Sequence, residues 1–178
     1  MKSKFSISLL SLIVAIAVTA GVGVGCSLFK PTPQGTCPTL TVNGAELIAF
    51  GATTAAIKNG APAATITLIE SNITATVQTG VFNADLIAIA IKNAPQGNQW
   101  MPYLGAIDVV FGQAFNSLVA TQANQQVCMV PIANAIVAGM QLAQTLSPSA
   151  SGGLKAASPA AVEKAKARLQ YLLRQSNK

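Results

Sequence analysis

The sequence predicts a small, mostly α-helical protein. We expect an antiparallel bundle of about four to five helices, closed by a disulfide and followed by a C-terminal amphipathic helix. Three observations lead to this prediction. Apolar residues recur at helical spacing through the middle of the chain, helix-terminating Gly, Asn and Pro residues separate the segments, and helices joined by such short connections lie antiparallel. The 178 residues, 51% hydrophobic and 9% charged, suit one domain with a targeting segment and exclude a disordered chain.

Two helices are predicted in the first half of the core, which spans residues 41–146. Asn43 begins the first as an N-cap, with Glu46 as its capping-box partner. Lys58-Asn59-Gly60 ends it. The second helix starts at Pro62, which suits a first helical position, and ends at Thr79-Gly80. Its β-branched content leaves a strand as an alternative for residues 63–77.

Three further helices complete the predicted core. A short third helix is capped by Asn83 and ends at the Asn93-Ala94-Pro95 break, although residues 85–92 also suit a buried strand. A fourth helix opens near Pro102 and carries an apolar face through Val119. A fifth opens at Pro131.

The C-terminal segment predicts a separate basic helix. Residues 147–158 have the composition of a flexible linker, and Ser158-Pro159 supplies an N-cap followed by proline at the first helical position. The formal net charge of +6 is concentrated here, since the core is slightly acidic. Four cations of helix 159–178 are predicted to bind an anionic surface: Lys164, Lys166, Arg168 and Arg174. The alternatives are a solvated helix that maintains solubility, or an apolar stripe that docks on a partner or on the core.

The first 25 residues are predicted to be a signal peptide. Lys2 and Lys4 precede an apolar run and then small residues. The stretch Gly23-Val-Gly-Cys26 resembles the lipobox of bacterial lipoproteins, with Gly23 in place of the usual aliphatic residue. The resemblance implies that Cys26 is diacylated and becomes the N-terminus, and the Pro-rich residues 26–40 then act as a tether. Two alternatives are cleavage after Ala20 and an uncleaved membrane anchor.

The chain has three cysteines, Cys26, Cys37 and Cys128. An odd thiol is a liability in an oxidising compartment. If Cys26 carries lipid, Cys37 and Cys128 remain as a pair, and we predict a structural disulfide between them. The alternative is that Cys128 stays a buried apolar thiol among the valines and methionine that flank it.

Catalytic chemistry has few candidate residues. The sequence contains no histidine, no phosphate-binding loop, no nucleophile elbow and no Cys-x-x-Cys pair, so we expect no enzyme activity, metal or cofactor. Of the four core carboxylates, Glu46 and Asp85 are predicted in first helical turns. Glu70 and Asp108 are predicted on solvated faces, with a pair of glycan-cleaving carboxylates as the alternative.

Trp100 and Tyr103 are the aromatic residues beside a polar turn. They are predicted to anchor the adjacent loop onto the core, with an aromatic binding lip as the alternative.

Together these observations predict an exported, membrane-anchored envelope lipoprotein with a non-catalytic structural or accessory role. The expected partner is another envelope protein or the cell wall, not nucleic acid. The resemblance to bacterial lipoproteins implies that Ser27, directly after the lipidated cysteine, favours the periplasmic face of the outer membrane in a Gram-negative cell, and otherwise we expect the cell surface. A phage or mobile-element origin is compatible with a lipoprotein of so few parts: a signal peptide, a tether, one small domain and a terminal helix. The alternative is a membrane-active protein in which the helices of residues 62–77 and 86–91 insert into a bilayer.

Overall fold

The computed structural model describes Cys37 and residues 39–118, 122–147 and 157–176. These residues form six helices, and the described ranges contain no strand. The helices are α1 (Thr39–Lys58), α2 (Ala63–Thr79), α3 (Leu86–Lys92), α4 (Gly97–Leu118), α5 (Gln122–Leu146) and α6 (Pro159–Ser176). The mostly helical fold is therefore confirmed, and the strand alternatives for residues 63–77 and 85–92 are wrong.

Several helix ends agree with the local sequence signals. Pro62 lies at the start of α2 as predicted, but it is the extended N-cap residue (φ −64°, ψ 138°), so the helix begins at Ala63, one position later than predicted. Gly80 ends α2 in the left-handed region (φ 68°), where its N–H bonds back to the carbonyls of the last turn. At α6, the Ser158 hydroxyl accepts a bond of 3.2 Å from the Ala161 N–H, as an N-cap does.

Other helix starts differ from the prediction. Helix α1 begins at Thr39, so Asn43 and Glu46 are internal and the predicted capping box is wrong. Both are buried. Helices α4 and α5 begin at Gly97 and Gln122, which leaves Pro102 and Pro131 inside them.

An internal proline costs a helix about 3 kcal/mol because it removes one backbone hydrogen bond and crowds the preceding turn. Buried contacts on either side of Pro131 offset this cost, since Cys128, Met129 and Ile132 are fully buried. The start of α3 also differs, because Asp85 and not Asn83 is the N-cap residue.

Consecutive helices α2, α3 and α4 lie antiparallel. The Thr65 hydroxyl donates to the Pro95 carbonyl (3.2 Å), and the Asn72 amide donates to the Ala90 carbonyl (3.4 Å). These contacts run in opposite directions along the two chain segments. Helices α3 and α4 meet where the Ala88 N–H donates to Asp108 Oδ1 (3.0 Å). This part of the fold is the predicted antiparallel arrangement.

Helices α1 and α5, by contrast, pack side by side in the same direction. Cys37 contacts Cys128, and further along both helices Gly139 lies against Glu46 and Ala49. A Cβ added at Gly139 would overlap the Glu46 carbonyl and lie 2.9 Å from the Ala49 Cβ. The close approach is at Gly139, and both helices carry further buried small residues. We call this set the small-residue seam: Ala45, Ala49, Ala52 and Ala56 of α1 and Ala135, Gly139 and Ala143 of α5.

One main core is formed by residues of all five helices α1 to α5, and a smaller apolar cluster lies under α6. The largest fully buried side chains of the main core are Phe111, Ile66, Ile69, Ile73, Ile87, Ile91, Leu104, Ile107, Met129, Ile132, Ile136 and Met140. Within the described residues one helical segment, Val127–Leu146 of α5, is long and apolar enough to cross a membrane. It is 56% buried inside the bundle, as core helices of soluble proteins also are.

Candidate functional site

Three groups of side chains carry chemistry in the described residues: the cysteine pair, the contact of α6 with the bundle, and a polar groove at Glu70. Cys26, the predicted lipid attachment site, lies outside the described residues. The described part of the chain contains no group of three or more His, Cys, Asp or Glu side chains that could hold a metal ion.

The two core cysteines lie together but are not bonded. Cys37 is half-buried just before α1, and Cys128 is fully buried in α5. The Cys37 Sγ donates to the Cys128 carbonyl oxygen at 3.9 Å, and both residues are free thiols. Burial, then the hydrogen bond and proximity to Cys128, raise the pKa of the Cys37 thiol well above its ordinary value. The structure therefore shows the helical bundle without the predicted disulfide between Cys37 and Cys128, which stays unconfirmed.

Helix α6 docks on the bundle through a two-point ion pair. Arg168 Nε donates to Glu46 Oε1 at 2.9 Å, and Arg168 Nη2 donates to Glu46 Oε2. The Glu46 side chain is only 4% exposed, whereas that of Arg168 is 45% exposed. The hydrogen bond to Glu46 raises the pKa of the Arg168 guanidinium. Glu46 is thus a buried carboxylate in the middle of α1 that fixes α6, not the first-turn residue predicted from the sequence.

An apolar cluster completes the contact of α6 with the bundle. Its fully or nearly buried members are Leu142 of α5 and Ala165 and Leu172 of α6. Four partly buried side chains pack against them: Leu47, Phe50, Leu146 and Leu169. The apolar stripe of α6 therefore docks on its own core, which was one of the alternatives left by the sequence.

The predicted anion-binding cations have different partners. Arg168 is engaged by Glu46 and also lies 5.2 Å from the centre of the Tyr171 ring. Lys166 pairs with Glu163 at 2.8 Å, with both side chains largely exposed. Lys164 and Arg174 are exposed and have no carboxylate partner among the described residues. The docked helix accordingly leaves these two cations unpaired.

Glu70 lies in a shallow groove of about 400 Å³ along α2 and α5. The groove is lined by Thr67, Glu70, Ser71, Thr74, Ala75, Gln78 and Gln141. Glu70 is only 8% exposed, so the predicted solvated position is wrong. The Gln144 side-chain amide donates to Glu70 Oε1. Burial raises the pKa of Glu70 to about 7, and hydrogen bonds from Gln144 and Gln141 limit the rise.

Asp108 has a structural partner away from this groove. Its Oδ1 accepts the Ala88 N–H and so caps the first turn of α3 from the neighbouring helix. Asp85, the N-cap residue itself, is exposed and makes no side-chain cap bond. The lining of the Glu70 groove includes no second carboxylate. The structure therefore does not bring Glu70 and Asp108 into a shared cleft of the kind that the glycan-cleaving alternative requires.

Trp100 and Tyr103 pack onto the core near the start of α4. Trp100 is 8% exposed, and its ring centre lies 6.3 Å from that of Tyr103 at an angle of 37°. Both rings contact the main cluster. This arrangement agrees with the predicted anchoring role and not with an exposed binding lip.

Two structural features were not predicted from the sequence. Gln144 as the partner of Glu70 has no local signal, because the two residues are 74 positions apart. The small-residue seam did have a signal, since Ala135, Gly139 and Ala143 recur at a spacing of four.

Comparison with known proteins gives no match: no protein-family model, no curated protein and no solved structure matches the chain.

Proposed function

We propose that this protein is an exported lipoprotein, anchored to the membrane through Cys26, with a non-catalytic structural or accessory role in the cell envelope. The observation that carries the proposal is the order of the N-terminal sequence: two lysines, an uncharged apolar run, small residues and then a cysteine. In a Gram-negative cell the site is the periplasmic face of the outer membrane, and in other cells it is the cell surface. The partner is another envelope protein or the cell wall.

The cysteine pair supports export. Cys37 and Cys128 are in contact across 91 positions of sequence, so they are the pair that a thiol oxidant of the export compartment would join. Both thiols lose their protons, two electrons pass to the oxidant, and one S–S bond forms. A disulfide that closes a loop of this length adds roughly 4 to 5 kcal/mol to the free energy of unfolding in the chain-entropy model. Cys26 is then the one remaining cysteine, free to carry the lipid.

The use of the polar core groups supports a non-catalytic role. Glu46 fixes α6 through Arg168, and Asp108 caps α3. Both carboxylates are thus engaged in holding helices together. The unpaired cations Lys164 and Arg174 on α6 are candidates for contact with an anionic partner or headgroup, at about 1 kcal/mol each near a charged surface.

A membrane-active protein is a second candidate, because one segment of α5 is long and apolar enough to span a bilayer. More than half of that segment is buried in the bundle, so insertion would require the bundle to open. Leakage of dye from vesicles on addition of the purified protein is the expected result of this candidate. Intact vesicles would remove it.

The decisive measurement for the anchor is the intact mass of the protein extracted from membranes, beside a Cys26→Ser control. We expect an N-terminus at Cys26 with added acyl mass, and neither in the control. An N-terminus at Met1 or Gly21 would refute the lipoprotein proposal. Mass after alkylation, with and without prior reduction, tests the disulfide: two more alkylated thiols after reduction support the bond, and equal numbers exclude it.

The partner is tested by pull-down from envelope extracts with the full chain and with a Lys164→Ala, Arg174→Ala variant. Glu163→Ala serves as the matched control, because it removes an exposed charge from the same helix. Loss of a partner in the double variant alone supports the role assigned to α6, and identical capture by all three proteins contradicts it.

A further inference from the structure

The groove at Glu70 contains an unusual combination of a buried acid and no cation. Glu70 is more than nine-tenths buried. The side chains that bond to it from α5, Gln141 and Gln144, are neutral amides. No Lys or Arg lines the groove. When this carboxyl ionises, its negative charge is therefore met by hydrogen bonds alone, and an uncompensated buried charge attracts a counter-charge.

Two of the three hydroxyl groups that line the groove, those of Ser71 and Thr74, are oriented as acceptors. The Ser71 hydroxyl donates its hydrogen to the Thr67 carbonyl (2.9 Å), and the Thr74 hydroxyl donates to the Glu70 carbonyl (2.8 Å). A hydroxyl has one hydrogen and two lone pairs. With their hydrogens committed to the backbone of α2, Ser71 and Thr74 have only lone pairs left for a ligand. The groove thus presents two hydroxyl acceptors beside one buried acid.

The residues that line the groove further limit the chemical class of ligand that it can bind. An anion would meet the Glu70 carboxylate without any cation to hold it. A sugar ring or an apolar group would find no aromatic or large aliphatic side chain, since Ala75 is the one apolar residue in the lining. A metal ion would need several charged or imidazole ligands, and the described residues hold no such group. A cation that carries hydrogen-bond donors can pair with the Glu70 carboxylate and with the Ser71 and Thr74 hydroxyl oxygens.

We propose that the α2–α5 groove binds a primary ammonium group, such as that of a lysine side chain, through an ion pair with the Glu70 carboxylate and hydrogen bonds to the Ser71 and Thr74 hydroxyls. An ammonium has three donors and no acceptor, which matches the Glu70 carboxylate and the two hydroxyl acceptors of Ser71 and Thr74. The inference uses only the described residues and is independent of the lipid anchor. Its failure would leave the proposed function intact, and the reverse also holds.

The test follows the carboxyl carbon of Glu70 by NMR as a function of pH in the full-length protein. The probe is Nα-acetyl-lysine amide, which keeps the free side-chain ammonium. The matched control ligand is Nα-acetyl-norleucine amide, which has a similar side chain without the ammonium. We expect the probe to lower the pKa of Glu70 by about one pH unit or more, because a cation within ion-pair distance favours the charged carboxylate. The norleucine analogue should leave it unchanged.

Two variants test the geometry of the site. Glu70→Gln keeps the side-chain shape and should abolish the probe-induced shifts of the groove amides. Ser71→Ala removes an exposed hydroxyl acceptor, is compatible with the helix, and should weaken binding several-fold. Asp85→Asn, an exposed carboxylate on another helix, should change nothing. An equal effect of both ligands, or a probe that acts equally on Asp85 and Glu70, would overturn the inference.

Discussion

Replacing Glu70 with glutamine should make the protein more stable at alkaline pH and leave it little changed in acid. The folded pKa of about 7, against the ordinary value of 4.5, corresponds to about 3 kcal/mol. Between these two pH values the folded state keeps a proton that the unfolded chain has lost. The free energy of unfolding of the wild type therefore falls as pH rises through this window and stays lower above pH 7.

The Glu70→Gln side chain does not titrate, and it can still accept the hydrogen bond from Gln144. Its stability relative to wild type should therefore rise by about 2.5 kcal/mol between pH 5 and pH 8, slightly less than the full difference because some titration is complete below pH 5. Urea unfolding at several pH values measures this difference. Glu163→Gln is the matched control, since the Glu163 side chain is 72% exposed and should give no such trend. Parallel pH profiles for wild type and Glu70→Gln would refute the reasoning.

Three further substitutions test the packing of the helices. Arg168→Ala leaves the buried glutamate of α1 without its partner and should cost about 1 to 2 kcal/mol, a value reduced because the arginine is half exposed; faster hydrogen exchange confined to α6 is the expected readout, and unchanged protection there would contradict the docking. Gly139→Ala should lower the free energy of unfolding by about 1 to 3 kcal/mol because the new methyl overlaps α1, whereas Gly105→Ala, with open space around it, should be neutral or raise it by up to about 1 kcal/mol. Asp108→Ala should cost about 1 kcal/mol in thermal unfolding through loss of the cap on α3, and Asp85→Ala, which has no cap bond to lose, should not.

The sequence predicted helix ends well where the end is determined by the neighbouring residues alone. Gly80 ends α2 because a glycine takes the left-handed backbone there without steric strain, and Ser158 caps α6 with its own hydroxyl. The two internal prolines misled the prediction for the same reason. Pro102 and Pro131 favour a helix start when only the neighbouring residues count, but burial of the surrounding turns keeps α4 and α5 continuous through them.

The site could not be predicted in the same way, because its partners are far apart along the chain. Glu46 and Arg168 are separated by 122 positions, and a glutamate three residues after an asparagine resembles a helix cap from sequence alone. Glu70 and Gln144 pair across two helices whose relative rotation follows from side-chain packing. The cysteine pair is the exception. The odd number of cysteines indicated Cys37 and Cys128 as partners, and the fold brings them into contact.

The parallel packing of α1 and α5 has a consequence for how the chain folds. The first helix leaves the ribosome long before its main partner, which begins about two-thirds of the way along the chain. Until α5 is synthesised, the alanine face of α1 lacks the helix that it packs against most closely in the folded protein. Helical bundles usually fold quickly because their contacts are local. Here the tightest contact is among the most distant in sequence, so we expect slower folding than the helix content alone would imply. During the synthesis of α5, α4 is the main helix already available to pack against α1.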